Sequence, residues 1–281
     1  MDNCASLDPC VARAIAHVAR LSTGPALDRR LPITLNFHPD RPHGGRPLLQ
    51  ALLEEGVYRS QFETGTSNGG LSAFEGGARW RWESRLFGGA YDGAAPGQRP
   101  KYGALNFRRY PFGGSPRFGS AHLRLRPGVA ARATFCYPDS VFEPAHFGVA
   151  ERMDLVARAL ADDKDMLDDY IEAHVHGPLR LDADVEALVL DPCYRGTPLE
   201  EMARRFPCAL EWHPGFRLAV DELRRHPGYR GPQFIALGAA IAEDGWLDPA
   251  ILGRAAAGGR HDPQDLKKVW HHVARFGAFA A

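Results

Sequence analysis

Tyr170-Ile171-Glu172-Ala173-His174-Val175-His176-Gly177 is the stretch on which the fold reading turns. Side chains alternate along an extended chain, so Ile171, Ala173 and Val175 share one face and Glu172, His174 and His176 the other. Three ionisable groups in a row, then Gly177-Pro178, fit either the solvated face of an antiparallel sheet or the lining of a cleft. In a cleft, a carboxylate such as Glu172 can hydrogen-bond a ribose hydroxyl. It can also offset positive charge on an anomeric carbon as a glycosidic bond loosens. The competing carboxylate, Glu186, starts a face that continues as Leu188 and Leu190, which places it at a strand mouth, so Glu172 is preferred.

The second informative stretch lies far upstream: Ile33-Thr34-Leu35-Asn36-Phe37-His38-Pro39-Asp40-Arg41. An apolar strand ends here in a Pro/Gly loop, and Pro47 then opens a helix over LLQALLEE that Gly56 closes. A strand, loop and helix in this order offer backbone N–H groups to an anion, with Arg41 available for a phosphate and His38 for a hydrogen bond. The pattern is neither a Walker loop nor GxGxxG, and a plain surface turn explains it equally well. Between the two stretches, residues 58–71 read as a strand broken by small polar residues. Ser60, Phe62 and Thr64 share a face, and Gly65, Ser67, Asn68, Gly69 and Gly70 permit close backbone approach. An aromatic ring here can stack on a planar cation.

Around these, residues 8–22 form an amphipathic helix with Val11, Ala14, Ile15, Val18 and Leu21 as its seam. Residues 80–106 read as a short helix or turn and a long Gly/Pro loop whose Tyr91, Arg99, Lys101 and Tyr102 could cover a bound cofactor. Residues 119–126 and 129–136 make a hairpin about Pro127-Gly128, a helix covers about 151–169, and strands follow at 170–176 and 184–190. From 199 onward the pattern turns helical, over 199–206, 216–225, 233–242 and 263–276. The mixed order predicts an α+β fold in three parts: an N-terminal helical segment (1–30), a central domain (31–198) and a helical C-terminal region (199–281).

Bulk composition narrows the function classes. The 281 residues are 44% apolar, enough for a substantial core, and the 34 basic and 34 acidic residues balance. That balance speaks against a global electrostatic grip on nucleic acid, while a local groove from Arg79, Arg81, Arg108 and Arg109 stays open. No apolar run approaches the roughly 20 residues that span a bilayer, so no membrane insertion is expected. The start of the chain lacks a secretory signal pattern, and five scattered Cys form no CxxC pair. The expected setting is cytoplasmic, or a target cell reached without a signal peptide. Asp162, Asp163, Asp165, Asp168 and Asp169 lack an EF-hand spacing and read as a solvated helix face, so no metal is expected. Ser120 and Ser140 lack a GxSxG elbow.

Phe37-His38-Pro39-Asp40-Arg41, Ser60-Gln61-Phe62-Glu63-Thr64-Gly65 with Ser67-Asn68-Gly69, Arg99-Pro100-Lys101-Tyr102-Gly103-Ala104-Leu105-Asn106, Arg132–Phe135 with Asp139-Ser140, and Ile171–Gly177 together resemble a bacterial family of uncharacterised domains. This resemblance covers about residues 30–197, and that family is in turn similar to mono-ADP-ribosyltransferase-like toxins. It implies a split antiparallel β-sheet core with flanking helices and NAD, as a substrate, in the cleft. By position, Arg41 or His38 takes the role of the first-strand cation, Ser60 or Thr64 that of the middle-strand hydroxyl, and Glu172 that of the late glutamate. Gln61, Phe62, Gly65, Tyr102 and His174 would complete the cofactor site. His174 departs from the pattern, since many relatives carry Gln two residues after the Glu, which puts acceptor preference in doubt. The expected activity is transfer of ADP-ribose from NAD to an unidentified macromolecular acceptor, as a toxin or effector would perform. The alternatives are a NAD glycohydrolase and a non-catalytic protein-interaction module.

Overall fold

The computed structural model describes residues 8–65 and 72–277. Its centre is a mixed sheet of eight strands: β1 (Ile33–Phe37), β2 (Lys101–Leu105), β3 (Ala121–Leu125), β4 (Ala133–Tyr137), β5 (His146–Val149), β6 (Ile171–Val175), β7 (Val185–Leu190) and β8 (Ala209–Trp212). The strand order is β8-β7-β3-β1-β2-β6-β4-β5. Every pairing is antiparallel except β7 with β8. At its centre, β1 meets β2 over only Ile33↔Leu105 and Thr34↔Ala104. By contrast, β2 pairs with β6 along all five residues.

Alternation sorts the two faces. Ile33, Leu35, Phe37, Leu105, Phe135, Ile171, Ala173 and Val175 point into the main apolar core, which α2 (Leu48–Glu55) and α5 (Leu155–Ala161) cover. The other face carries Thr34, Asn36, Thr134, Glu172 and His174, all buried. Over Thr134, Glu172 and His174 it is covered by α4 (Ala78–Leu86), Phe87 and Tyr91, and α1 (Pro9–Leu21) packs on the neighbouring β4 and β5. A second apolar cluster lies in the C-terminal region, where α6 (Val220–Leu223), α7 (Pro232–Ile241), α8 (Pro249–Ala257) and α9 (Pro263–Phe276) pack around Phe216, Leu247, Val269 and Trp270.

Several expectations need correction. Residues 58–64 are no strand: α3 (Gln61–Thr64) occupies them, and Ser60 and Glu63 form a capping box that satisfies the helix's first N–H groups. The pair 121–125 and 133–137 is not a hairpin, because Pro127–Arg132 is a 3-10 helix that carries the chain past three intervening strands. The short helix read near residue 80 is α4, but the loop expected after it ends in the central strand β2. Helix 151–169 shrinks to α5, since the aspartates that follow turn away to separate partners. Asp165 binds Arg275 at 2.6 Å, Asp169 binds Arg108, and Asp168 binds Arg117 and, at 3.3 Å, Arg230. The C-terminal region is not wholly helical, as β8 extends the sheet. It also holds α8, a helix unforeseen in sequence that Asp248 caps and Pro249 opens.

Close approach of the 106–120 loop to β1 requires glycine at one point. A Cβ on Gly119 would lie 2.0 Å from the Phe37 carbonyl carbon, whereas one on Gly128 would meet nothing within 4 Å. Gly119→Ala is therefore expected to destabilise the protein by about 3 kcal/mol or more, and Gly128→Ala by well under about 1 kcal/mol. Urea unfolding of both variants checks this, and equal midpoints would refute the tight contact.

Candidate functional site

The cleft begins where β1 and β2 part. Asn36, Tyr58, Gln61, Arg79, Tyr102, Gly103, Phe118 and Glu172 line a cavity of about 60 Å³ there. Tyr58, Gln61 and Tyr102 also line a neighbouring cavity of about 130 Å³ that includes Arg41 and Thr64. Phe118 is shared with a third, of about 370 Å³, that His38, Arg41 and Trp270 help to line. The end of β1, which leads into His38, and the strand that carries Glu172 therefore border adjoining cavities that share lining residues.

Glu172 is 6% exposed and held from three sides. Ser140 donates its hydroxyl to Oε2 at 3.0 Å, and its backbone N–H reaches the same oxygen at 3.4 Å. His174 Nε2 lies 3.1 Å from Oε1, and the Arg79 guanidinium is 3.9 Å from that oxygen. Burial by itself would raise the carboxyl's pKa. The His174 hydrogen bond, the Arg79 charge and Ser140 outweigh burial and hold it below the ordinary range. Glu172 is thus an ionised carboxylate in a nearly dry site. Arg79 also lies over the Tyr102 ring at 4.3 Å, while Tyr102 donates to Glu83 at 2.6 Å and Glu83 pairs with Arg99 at 2.7 Å. Two carboxylates and two guanidiniums thereby share one buried layer.

Behind Glu172 runs an ordered chain of hydrogen bonds. A carboxylate can only accept, so His174 must donate from Nε2, which leaves Nδ1 to accept from Thr134 Oγ1 at 3.0 Å. Thr134 has no second proton, so His176 Nε2 donates to it at 3.0 Å, and Tyr91 donates to His176 Nδ1 at 2.7 Å. Every member has one role, and both rings are neutral. Burial pushes His174 and His176 below their ordinary pKa, against the pull of Glu172 on His174.

The sequence-predicted residues divide accordingly. Glu172, Gln61 and Tyr102 meet in one cavity, Arg41 and Thr64 adjoin it, and His38 lies farther along. His38 is no cation, since burial and then Arg41 push its pKa down to about 3. Ser60 is a correction: its hydroxyl donates to Pro96 O at 2.7 Å and accepts from Glu63 N, a structural cap rather than a substrate ligand. Phe62 likewise packs under Arg99 at 4.1 Å, and Gly65 is the left-handed cap of α3. His174 is fully buried behind Glu172, so it positions the carboxylate instead of touching cofactor. Arg99, Lys101 and Tyr91 are buried and form no lid. Glu186 faces outward to Arg124 at 3.3 Å. The supposed basic groove dissolves, because Arg79 is buried with Glu172 while Arg108 and Arg109 pair with Asp169 and Asp28. Ser67, Asn68, Gly69 and Gly70 lie outside the described residues.

Sequence reasoning missed Arg79 and Ser140 as Glu172's partners. One signal was present: Arg79, Trp82, Glu83 and Leu86 fall at helical spacing, so two charges share the seam of an otherwise apolar face. Cys136 Sγ, a Glu172 oxygen and a His174 nitrogen lie within 4.8 Å of one another, a possible metal grouping. Arg79 already supplies positive charge beside that carboxylate, which disfavours a cation there.

The family described as Protein of unknown function (DUF3626) matches residues 32–164 and 161–276, and the chain belongs to it. No curated protein matches the chain.

The hydrogen-bond chain makes Thr134 testable. Thr134→Val leaves a donor on His176 and an acceptor on His174 unmet, a cost of about 2 to 4 kcal/mol in urea unfolding, whereas Thr134→Ser should retain most stability. Burial also gives the fold a pH dependence. His38, His122, His174, His176, His213, His271 and His272 are all held below their ordinary pKa, in each case first by burial. The unfolded chain takes up protons near the ordinary His value, about 6.5, while the folded chain does not, so stability is lost as pH falls through that value. Asp40, pushed up to about 6, and the raised Glu83, Asp169 and Asp191 act in the opposite sense but are outnumbered by the seven histidines. Urea unfolding at about pH 7.5 and about pH 5 should show the lower value at the acidic end, by up to roughly 1.4 kcal/mol per histidine per pH unit. A flat profile would mean that these rings are already protonated in the native state.

Proposed function

We propose that the chain binds NAD in the cleft between β1 and β2 and transfers its ADP-ribose to an acceptor, with Glu172 as the catalytic carboxylate. The carrying observation is the position of Glu172: an ionised, preorganised carboxylate on the floor of the opening left by the two-residue pairing of β1 with β2. In this reading that opening stands for the divide of an ADP-ribosyltransferase-like split core.

The chemistry follows from the neighbours. As the bond from C1′ to the nicotinamide nitrogen breaks, its electron pair goes to the ring, which leaves as a neutral molecule. Positive charge builds on the ribose, and the fixed carboxylate of Glu172 stabilises it without reorganising, because Ser140 and His174 already hold both oxygens. The acceptor's nucleophile then bonds to C1′ and gives up its proton. Tyr102 and Phe118 provide the aromatic walls for nicotinamide, and Arg41 stands toward the phosphates at the junction of the two larger cavities. Hydrolysis by water would share the first step.

Incubation with labelled NAD should release nicotinamide, and Glu172→Gln, which keeps the shape and loses the charge, should slow release by about 10²–10³-fold. Label on a macromolecule marks transfer, and free ADP-ribose alone marks hydrolysis. Equal release by both proteins, or none by the wild type, ends this reading.

A further inference from the structure

The 370 Å³ cavity at the junction of the sheet with the C-terminal helices has a chemistry of its own. Its volume falls within the ~300–1,000 Å³ range of small-molecule sites. Phe118, Leu252, Ala256 and Trp270 supply apolar and aromatic wall, and Trp270 is fixed by donating to Pro116 O at 2.9 Å. Arg41, Arg117 and Lys267 converge on the same space. They repel one another: burial first, then Arg117, Lys268, Arg41 and Arg230, pushes Lys267 down to about 8. Asp168, shared between Arg117 and Arg230, offsets part of that charge. Asp40 lines the same cavity, and its Oδ2 accepts from Tyr194 at 2.9 Å and lies hard against the α8 backbone at Gly253.

We propose that this cavity binds a nucleoside 5′-phosphate. The phosphate lies against Arg41, Arg117 and Lys267, where an anion relieves the crowding of cations. The base packs on Phe118 and Trp270, and Asp40 accepts from a ribose hydroxyl or an exocyclic amine. For the identity of the nucleotide this rests on the NAD reading, since the cavity shares Phe118 with the Glu172 cavity and would receive the adenylate half. The C-terminal helices, which the family match also covers, thereby become part of the binding site.

The test is calorimetric titration of the full chain with AMP, adenosine and inorganic phosphate. AMP should bind the wild type more tightly than either fragment. Lys267→Gln should weaken it about tenfold or more, and Ala256→Leu, which fills the cavity without removing a polar group, should also weaken it. Affinity should fall above about pH 8, with proton uptake on binding, as Lys267 loses its charge. No AMP binding by the wild type, or equal binding by wild type, Lys267→Gln and Ala256→Leu, overturns the proposal even if nicotinamide release depends on Glu172. AMP binding that follows the expected pattern, in a protein that releases no nicotinamide, supports this site and removes the NAD reading instead.

Discussion

A buried negative charge at Glu172 constrains everything on its side of the sheet. An isolated carboxylate removed from water costs many kcal/mol, so the fold must supply compensation at close range. It does so with Arg79 from α4, Ser140 from the loop after β4, and His174 from its own strand. Arg79 in turn lies among Tyr102, Glu83 and Glu172, and Glu83 needs Arg99. The layer is neutral as a set and unfavourable in any subset, because breaking a buried pair strands the other charge. Such a layer contributes less to net stability than apolar packing of equal volume would. Its use is to hold one carboxylate ionised and immobile.

This requirement explains the cover above the polar face. Trp82, Phe87, Tyr91 and Tyr102 surround His174 and His176 with rings between about 5 and 6 Å away, which exclude water and keep both imidazoles neutral. Helix α1 closes the outside of that aromatic layer through Val11, Ala14 and Val18. On the other flank, Asn36 donates to Phe112 O at 2.8 Å and Thr34 accepts from Gly114 N at 2.8 Å, so β1 holds the 106–120 loop and with it Phe118. The C-terminal helices then dock through the Phe112 and Phe216 cluster. The ion pairs of Asp165 and Asp168 set orientation more than they add stability, since partly exposed pairs contribute little.

Much of the fold was legible where local chemistry is strong. Helices α1 and α2 carry clear seams and caps, and β1, β6 and β7 read as strands from alternation or continuous apolar runs. The misreadings have physical causes. Ser60 to Glu63 was a capping signal, yet its β-like alternation favoured a strand. Pro127-Gly128 has turn chemistry, but it starts a 3-10 helix long enough to send β4 to the far side of β6. Lys101–Leu105 looked like loop because Gly103 weakens strand propensity; Gly is needed there since a Cβ would lie 2.6 Å from Thr34 O.

Sequence by itself determined which side chains share a face: alternation places Glu172, His174 and His176 together in any extended conformation, and the helical period does the same for Arg79 and Glu83. It also identified the two stretches, 33–41 and 170–177, that border the cleft. Only the tertiary structure decided that the polar face is buried rather than wet, and that Arg79 and Ser140 are the partners of Glu172. It alone revealed that Trp270 and Lys267 meet His38 and Arg41 across one cavity. The reason is one of range. Alternation and caps act within a few residues, whereas the partners of a buried charge come from wherever the chain returns, and strand order sets that return.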